Sequence, residues 1–263
     1  MIPAFVINLD RRPDRLAFMA PQLDALGVPW HRVPALDAKT APDDAIAGEV
    51  RLTGHRIGMG RGSQCCAVTN FDIFRRIVAE GISAALIVQD DVALSPDLGP
   101  LLRDPAWIPQ GIGLIQLEHT GRRNSTRLVG PPLGSLPVPG HGLRRLYSRT
   151  GGAGAFILTL DAAKVILRDK PLLDAPIDHF LFSPNVSPVF DRIGVALMMP
   201  ALAVQRTEAL SSDIINERTK RPKSAQASLR RLWSEMNRAP GQAMAMVRGA
   251  RWLPFDPPVR TMQ

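Results

Sequence analysis

The sequence predicts an α/β fold: a mostly parallel sheet flanked by helices, followed by a basic, partly helical C-terminal tail. Three observations carry this prediction. At the start of the chain, a short apolar run, a segment of helical period and a second apolar run follow one another, the strand–helix–strand pattern of a parallel sheet. The stretch Ala84-Ala85-Leu86-Ile87-Val88 is apolar without alternation, as in a strand buried on both faces, and it runs directly into Gln89-Asp90-Asp91. The hydrophobic fraction is 45% and the charged fraction 21%, ordinary for a globular protein. No stretch approaches the roughly eighteen apolar residues that cross a membrane.

The elements follow in order. Pro3 to Leu9 reads as the first strand, closed by Asn8. Pro13 suits the first turn of a helix, Leu16, Met19, Leu23 and Leu26 recur at helical spacing, and Gly27 ends it. Trp30 to Ala35 is the second strand. Asp37 to Gly62 reads as a loop with short helical pieces. Its glycines, Gly58, Gly60 and Gly62, follow no strand that would make them a phosphate cradle. Ser63 is placed to cap the next helix, whose buried face is Ala67, Phe71, Phe74 and Val78. The Ala84–Val88 strand follows. Ile112 to Leu117 is a further strand, with Glu118 and His119 at its end. Residues 120–149 lack periodicity and read as a long loop. Its arginines (Arg122, Arg123, Arg127, Arg144, Arg145, Arg149) suggest a lid or acceptor loop over a negative substrate. Gly151 to Gly154 leads into a strand through Leu158, where small residues let a ligand or another backbone come close. Asp161 is placed to cap the helix after it, and Ile193 to Val204 holds the late strands.

The net charge is +8. From Arg206 onward there are eleven Lys/Arg against five Asp/Glu, so the tail carries +6 of it. This sets a boundary near 210: a domain over 1–210 and a basic extension over 211–263. Ala225, Leu229, Leu232, Trp233 and Met236 fall on one helical face, with Arg230, Arg231 and Arg238 elsewhere. That pattern suits either a membrane surface or packing back on the domain. Nucleic acid is a poor partner, because aromatics are only 5% of the chain and stacking needs them. The two cysteines, Cys65 and Cys66, are adjacent, a spacing that strains a bridge, so they read as reduced thiols. The first apolar run is too short for a leader peptide. The expected location is cytoplasmic, or peripheral on the inner face of the cell membrane.

The candidate chemistry lies at strand ends. Ligands of open α/β sheets bind beyond the carboxyl ends of the strands, and Asp90 with Asp91 stands there. Such a pair either takes a hard divalent cation or merely opens a turn. Arg11, Arg12 and Arg15 occupy the turn after the first strand, at the same sheet edge. Arginine is unfavourable at a helix start unless an anion docks nearby, and a diphosphate accepts forked guanidinium bonds. Asp178 lies in an apolar frame, Pro176-Ile177-Asp178-His179-Phe180, and an Asp–His neighbour pair there is either chemical or structural.

Four segments together resemble one family. Ile7-Asn8-Leu9-Asp10-Arg11-Arg12-Pro13-Asp14-Arg15 resembles the opening motif of the family-25 glycosyltransferases, the lipooligosaccharide β-galactosyltransferase group. Leu86-Ile87-Val88-Gln89-Asp90-Asp91-Val92 resembles its acidic strand end. Gly154-Ala155-Phe156-Ile157-Leu158 with Ala162-Ala163 is similar to its later strand–helix segment, and Pro176-Ile177-Asp178-His179-Phe180 to its Pro-(Val/Ile)-Asp-x-Phe motif. The resemblance covers roughly residues 2–206. It implies a GT-A-like fold and inverting transfer of a hexose, commonly galactose, from a UDP-sugar, with Mn²⁺ or Mg²⁺ at the acidic motif. On this chain the metal ligands are then Asp90 and Asp91. Asn8, Arg12, Arg15, Gln89 and Asp90 lie around the nucleotide sugar, and Asp178 is the base or the holder of the acceptor hydroxyl. The acceptor is a lipopolysaccharide, lipooligosaccharide or other surface glycan. Two residues depart from the pattern: Gln89 replaces the first acid of the triplet, and Asn70 replaces a histidine. They open the alternative of a catalytically degenerate protein that binds a sugar nucleotide or an acidic glycan.

Overall fold

The structure is a computed structural model of the 263-residue chain and describes residues 1–120, 125–206 and 238–262. The first half contains, in order, β1 (Ala4–Asn8), α1 (Pro13–Leu26), β2 (Trp30–Pro34), α2 (Asp44–Ala47), α3 (Arg61–Ala79), β3 (Ala84–Gln89), β4 (Val92–Leu94), α4 (Leu98–Leu102), β5 (Leu114–Gln116) and β6 (Glu118–His119). The second contains β7 (Thr126–Pro132), β8 (Gly142–Leu146), β9 (Ala155–Thr159), α5 (Leu160–Asp169), α6 (Ile177–Phe182), α7 (Phe190–Ile193), β10 (Val195–Met199), β11 (Ala203–Gln205) and β12 (Arg251–Pro254). Residues 238–247 are also helical.

Strand alternation builds a three-layer molecule. In β1, Phe5 and Ile7 enter one core while Ala4 and Val6 enter the other. β3 divides likewise, Ala85 and Ile87 against Ala84, Leu86 and Val88, and so does β9, Phe156 and Leu158 against Ala155 and Ile157. Side chains at i and i+2 share a face, so a continuous apolar run serves two cores at once. On the first face lie α3, α5 and α6, joined by an aromatic chain. Phe71 meets Phe74 and Phe180 edge-on at 5.9 and 6.2 Å, and Phe156 meets Phe74 at 6.4 Å and Phe182 at 5.9 Å. On the second face lie α1, through Met19, Leu23 and Leu26, and α4, through Leu98, Leu101 and Leu102.

The large sheet has the order β12-β7-β8-β10-β5-β9-β3-β1-β2. The pairings set β1, β2, β3, β5, β7 and β10 in one direction and β8, β9 and β12 in the other. Six of the nine strands thus share one direction, as the sequence predicts, while three of the eight neighbouring pairs are parallel and five antiparallel, β9 lying antiparallel between β3 and β5. A small second sheet, β4-β11-β6, continues the chain beyond the ends of β3 and β5. It turns Val92 and Glu118 toward the same edge.

Several local expectations are corrected. Residues 126–132 and 142–146, read as part of a loop, are the paired strands β7 and β8. Their Gly, Pro and Arg residues mask the alternation that would reveal them. Arg127, Arg144 and Arg145 consequently sit in the sheet rather than on a lid, with Arg144 donating to the Gly130 carbonyl at 2.9 Å. Residues 121–124 lie outside the described residues. Ser63 is inside α3, which starts two residues earlier behind Gly60. Thr159, not Asp161, caps α5, its hydroxyl accepting from Ala162 N at 3.3 Å. Most of the predicted amphipathic segment 225–238 lies outside the described residues. The end of the chain does return to the domain. β12 pairs antiparallel with β7, Phe255 is buried in the first core, and Arg238 pairs with Asp191 at 2.7 Å. The segment after the boundary expected at 210 thus contributes strand β12 to the large sheet.

Candidate active site

β1 and β3 run parallel with Ile7 opposite Gln89, so the turns that follow them emerge side by side. That register brings the first-turn arginine and the acid pair together. Asp90 takes Asn8 Nδ2 at 2.7 Å on Oδ2 and Arg15 Nη1 at 3.1 Å on Oδ1. The same Nη1 lies 3.7 Å from Asp91 Oδ2, and Gln205 Nε2 of β11 donates to that oxygen at 3.3 Å. Asp90 and Asp91 are both buried, each 6% exposed, and Arg15 is 5% exposed. Helical periodicity assigned the buried face of α1 to Leu16, which is only half-buried. Arg15 is buried beside it because a buried carboxylate needs a counter-charge.

Asp91 Oδ1 is buried and has no hydrogen-bond partner among the described residues. Burial pushes the Asp91 carboxyl up, against the attraction of Arg15, and the Asp90 charge adds to the rise. A desolvated oxygen of this kind is a fit donor for a hard cation. Among the described residues, no three His, Cys, Asp or Glu side chains form a metal cage. Asp90 and Asp91 are a pair of the kind that holds Mg²⁺ or Mn²⁺ where ligand phosphates and water complete the shell.

Arg15, Asp90, Asp91 and Gln205 line a cavity of about 310 Å³ that also takes in Arg11, Lys39, Gln89, Glu118, Gly152, Gly154 and Asp178. Asp178, in the first turn of α6, accepts from His179 N at 2.9 Å on Oδ1 and from Gly152 N at 3.4 Å on Oδ2. Glu118 is 1% exposed and accepts from Gly154 N at 2.5 Å. Desolvation, with the Asp91 and Asp178 charges, pushes its carboxyl up to about 8 in spite of the Gly154 bond. Gln89 donates to Cys66 Sγ at 3.5 Å, and burial pushes that thiol up to about 12. Neither Cys65 nor Cys66 is held in a disulfide.

Of the residues predicted from sequence, Arg15, Gln89, Asp90, Asp91 and Asp178 line one cavity. Asn8 stands behind it, holding Asp90 and receiving Arg32 Nε at 2.9 Å on Oδ1. Arg12 is not a lining residue. It pairs with Asp14 at 2.7 Å at the start of α1, and Arg11, from the same turn, lines the cavity instead while paired with Asp37 at 2.7 Å. Asn70 also stands behind the cavity, donating to Cys66 O at 2.8 Å. Sequence reasoning passed over Glu118 and Gln205. Glu118 carried a signal, an acid ending an apolar strand as Asp90 does. Gln205 carried none, since only the second sheet brings it beside Asp91.

Residues 1–126 match the model of glycosyltransferase family 25, described as an LPS biosynthesis protein family. The chain is 26% identical over 190 residues to a glycosyltransferase 25 family member of Aedes aegypti, covering 67% of this chain and 30% of that protein. It is 30% identical over 185 residues to a glycosyltransferase 25 family member of Drosophila pseudoobscura pseudoobscura, covering 67% of this chain and 29% of that one. It is 28% identical over 191 residues to the human inactive glycosyltransferase 25 family member 3, covering 67% and 30%. The chain thus spans about a third of the length of these curated relatives. A crystal structure of a glycosyltransferase involved in the glycosylation of the major capsid of PBCV-1 aligns with a TM-score of 0.40 and 12% identity, over 89% of this chain and 98% of that chain. No helix among the described residues is long and apolar enough to cross a membrane.

Proposed function

From the family-25 glycosyltransferase domain over residues 1–126, we infer that the protein moves a hexose, galactose first among candidates, from a UDP-sugar to a lipopolysaccharide, lipooligosaccharide or other surface-glycan acceptor. One observation carries the reading: Asp90, Asp91, Arg15 and Asp178 converge on a single cavity at the carboxyl ends of parallel strands.

The chemistry divides among this chain's residues. Asp91 Oδ1, with Asp90, is where Mn²⁺ or Mg²⁺ would be held, and the ion would supply positive charge to the departing diphosphate. Arg15 pairs with Asp90 at 3.1 Å and reaches Asp91 at 3.7 Å, holding both acids in place, and Arg11 brings a second guanidinium to the cavity. Asn8 fixes Asp90 by its 2.7 Å bond. Asp178 accepts the proton of the acceptor hydroxyl as that oxygen attacks the anomeric carbon and the bond to the diphosphate breaks. Two backbone N–H bonds fix the rotamer of Asp178 and leave lone pairs for that hydroxyl.

The test is release of UDP from UDP-galactose, UDP-glucose and their N-acetyl forms by the full chain with Mn²⁺. Turnover that is lost with chelator and in Asp91→Asn supports the reading. Turnover undiminished in Asp91→Asn overturns it. A second reading, nucleotide-sugar binding without transfer, is favoured by Gln89. Its amide offers no charge and is engaged with Cys66, and the human relative is named inactive. UDP binding with no release under any divalent ion would establish that reading instead.

A further inference from the structure

Gln116 ends β5 and has no exposed surface. Its Nε2 donates to two successive carbonyls, Gly151 O and Gly152 O, both at 2.9 Å. Those carbonyls open the segment Gly151-Gly152-Ala153-Gly154, whose own amides reach the two acids on either side. Gly152 N points to Asp178 Oδ2 at 3.4 Å and Gly154 N to Glu118 Oε2 at 2.5 Å. Gly154 O in turn accepts from Gln89 N at 2.8 Å, tying the segment to the strand that bears the acid pair.

Gly152 and Gly154 have no room for a side chain. A Cβ on Gly152, whose φ is +87°, would lie 2.5 Å from Glu118 Oε2, and one on Gly154 would lie 2.9 Å from Val92 Cγ1 and 3.0 Å from the Glu118 carboxyl. Glycine gives the backbone this close approach and also leaves it conformationally loose. Something outside the segment must hold it, and Gln116 spends both of its N–H donors there. Its Oε1 is buried with no hydrogen-bond partner among the described residues, a cost that packing alone would not retain.

We propose that Gln116 is a positioning residue: by clamping the Gly151–Gly154 segment it keeps Asp178 and Glu118 in register on one cavity. This deepens the transferase reading and rests on it, since Asp178 is the acid being positioned. Glu118, set opposite Asp178 by the same segment, is the second acid held in this way. Displacing a reacting group by about 1 Å costs roughly 100-fold in rate. The effect of losing the clamp therefore falls on kcat, while the donor contacts around Arg15 and Asp91 stay.

The test compares Gln116→Met, which keeps the length of the side chain and loses both donors, with Leu114→Ala, a buried change on the same strand away from the segment. Both are made in the full chain. With UDP-galactose and Mn²⁺, Gln116→Met lowers kcat by roughly 10- to 100-fold with KM little changed, while Leu114→Ala lowers the melting temperature and keeps kcat. In ¹H–¹⁵N spectra, the Gly152 and Gly154 amide resonances move in Gln116→Met and stay in Leu114→Ala. Retained kcat in Gln116→Met, or a loss matched by Leu114→Ala at equal loss of stability, overturns the proposal. So do unmoved glycine resonances in Gln116→Met, a readout independent of turnover. Failure of the wild type itself to release UDP overturns the transferase reading, and with it the rate arm alone.

Discussion

Replacing Glu118 by Gln removes an acid that the folded chain holds away from water. Its carboxyl is pushed from an ordinary 4.5 up to about 8, first by desolvation and then by the charges of Asp91 and Asp178. The folded protein therefore holds this proton more tightly than the unfolded chain does. Stability is fully present below about pH 4.5 and falls as the pH rises to about 8, where the native carboxyl ionises in its buried site. At about 1.36 kcal/mol per pH unit, that span amounts to at most about 5 kcal/mol. The amide of Gln can still accept the Gly154 N–H and has no proton to lose. Urea unfolding of both proteins between about pH 5 and pH 9, with chelator present, reads the difference. The wild type loses up to about 4 kcal/mol more across this range than Glu118→Gln. Parallel stability curves for the two proteins would refute the argument, because they would mean that Glu118 titrates alike in the folded and unfolded states.

Other consequences of the same site can be measured. Arg15→Met leaves Asp90 and Asp91 buried without their counter-charge and costs about 3–5 kcal/mol, read by urea unfolding at neutral pH. For a chain of this size the melting temperature falls by roughly 6–20 °C. Gly152→Ala sets a methyl group against Glu118 Oε2 at a φ of +87° and lowers stability by about 2 kcal/mol or more, read by thermal melting. On the proposed reading Mn²⁺ at Asp91 competes with protons for that raised carboxyl, so it raises the melting temperature more at about pH 8 than at about pH 6. An equal rise at both would separate the cation from Asp91.

How much of the site was legible depended on whether a residue's role was local. Asp90, Asp91 and Arg15 could be found because each follows a strand whose apolar run is unmistakable, and parallel strands bring their following turns to one edge. Arg12 and Arg15 could not be told apart from spacing. The rotation of α1 decides between them, turning Arg15 toward the acids and Arg12 toward Asp14. β7 and β8 were hidden because their Gly, Pro and Arg residues break the alternation by which a strand is read. Their identity comes from pairing partners, with Arg144 and Arg145 opposite Leu197 and Ala196 of β10.

By itself the sequence determined the opening strand–helix–strand order, the burial of β3 on both faces, and the presence of two acids at a strand end with a basic turn at the same sheet edge. These are properties of neighbouring residues, set by side-chain period and burial. Only the tertiary structure decided that Glu118, Gln205 and the Gly151–Gly154 segment belong to the same cavity, and that β12 closes the sheet from the end of the chain. Those are contacts between residues far apart in sequence, fixed by strand order and register. The strong perturbation of Glu118 arises there too, because desolvation and the fields of Asp91 and Asp178 exist only once the chain is folded.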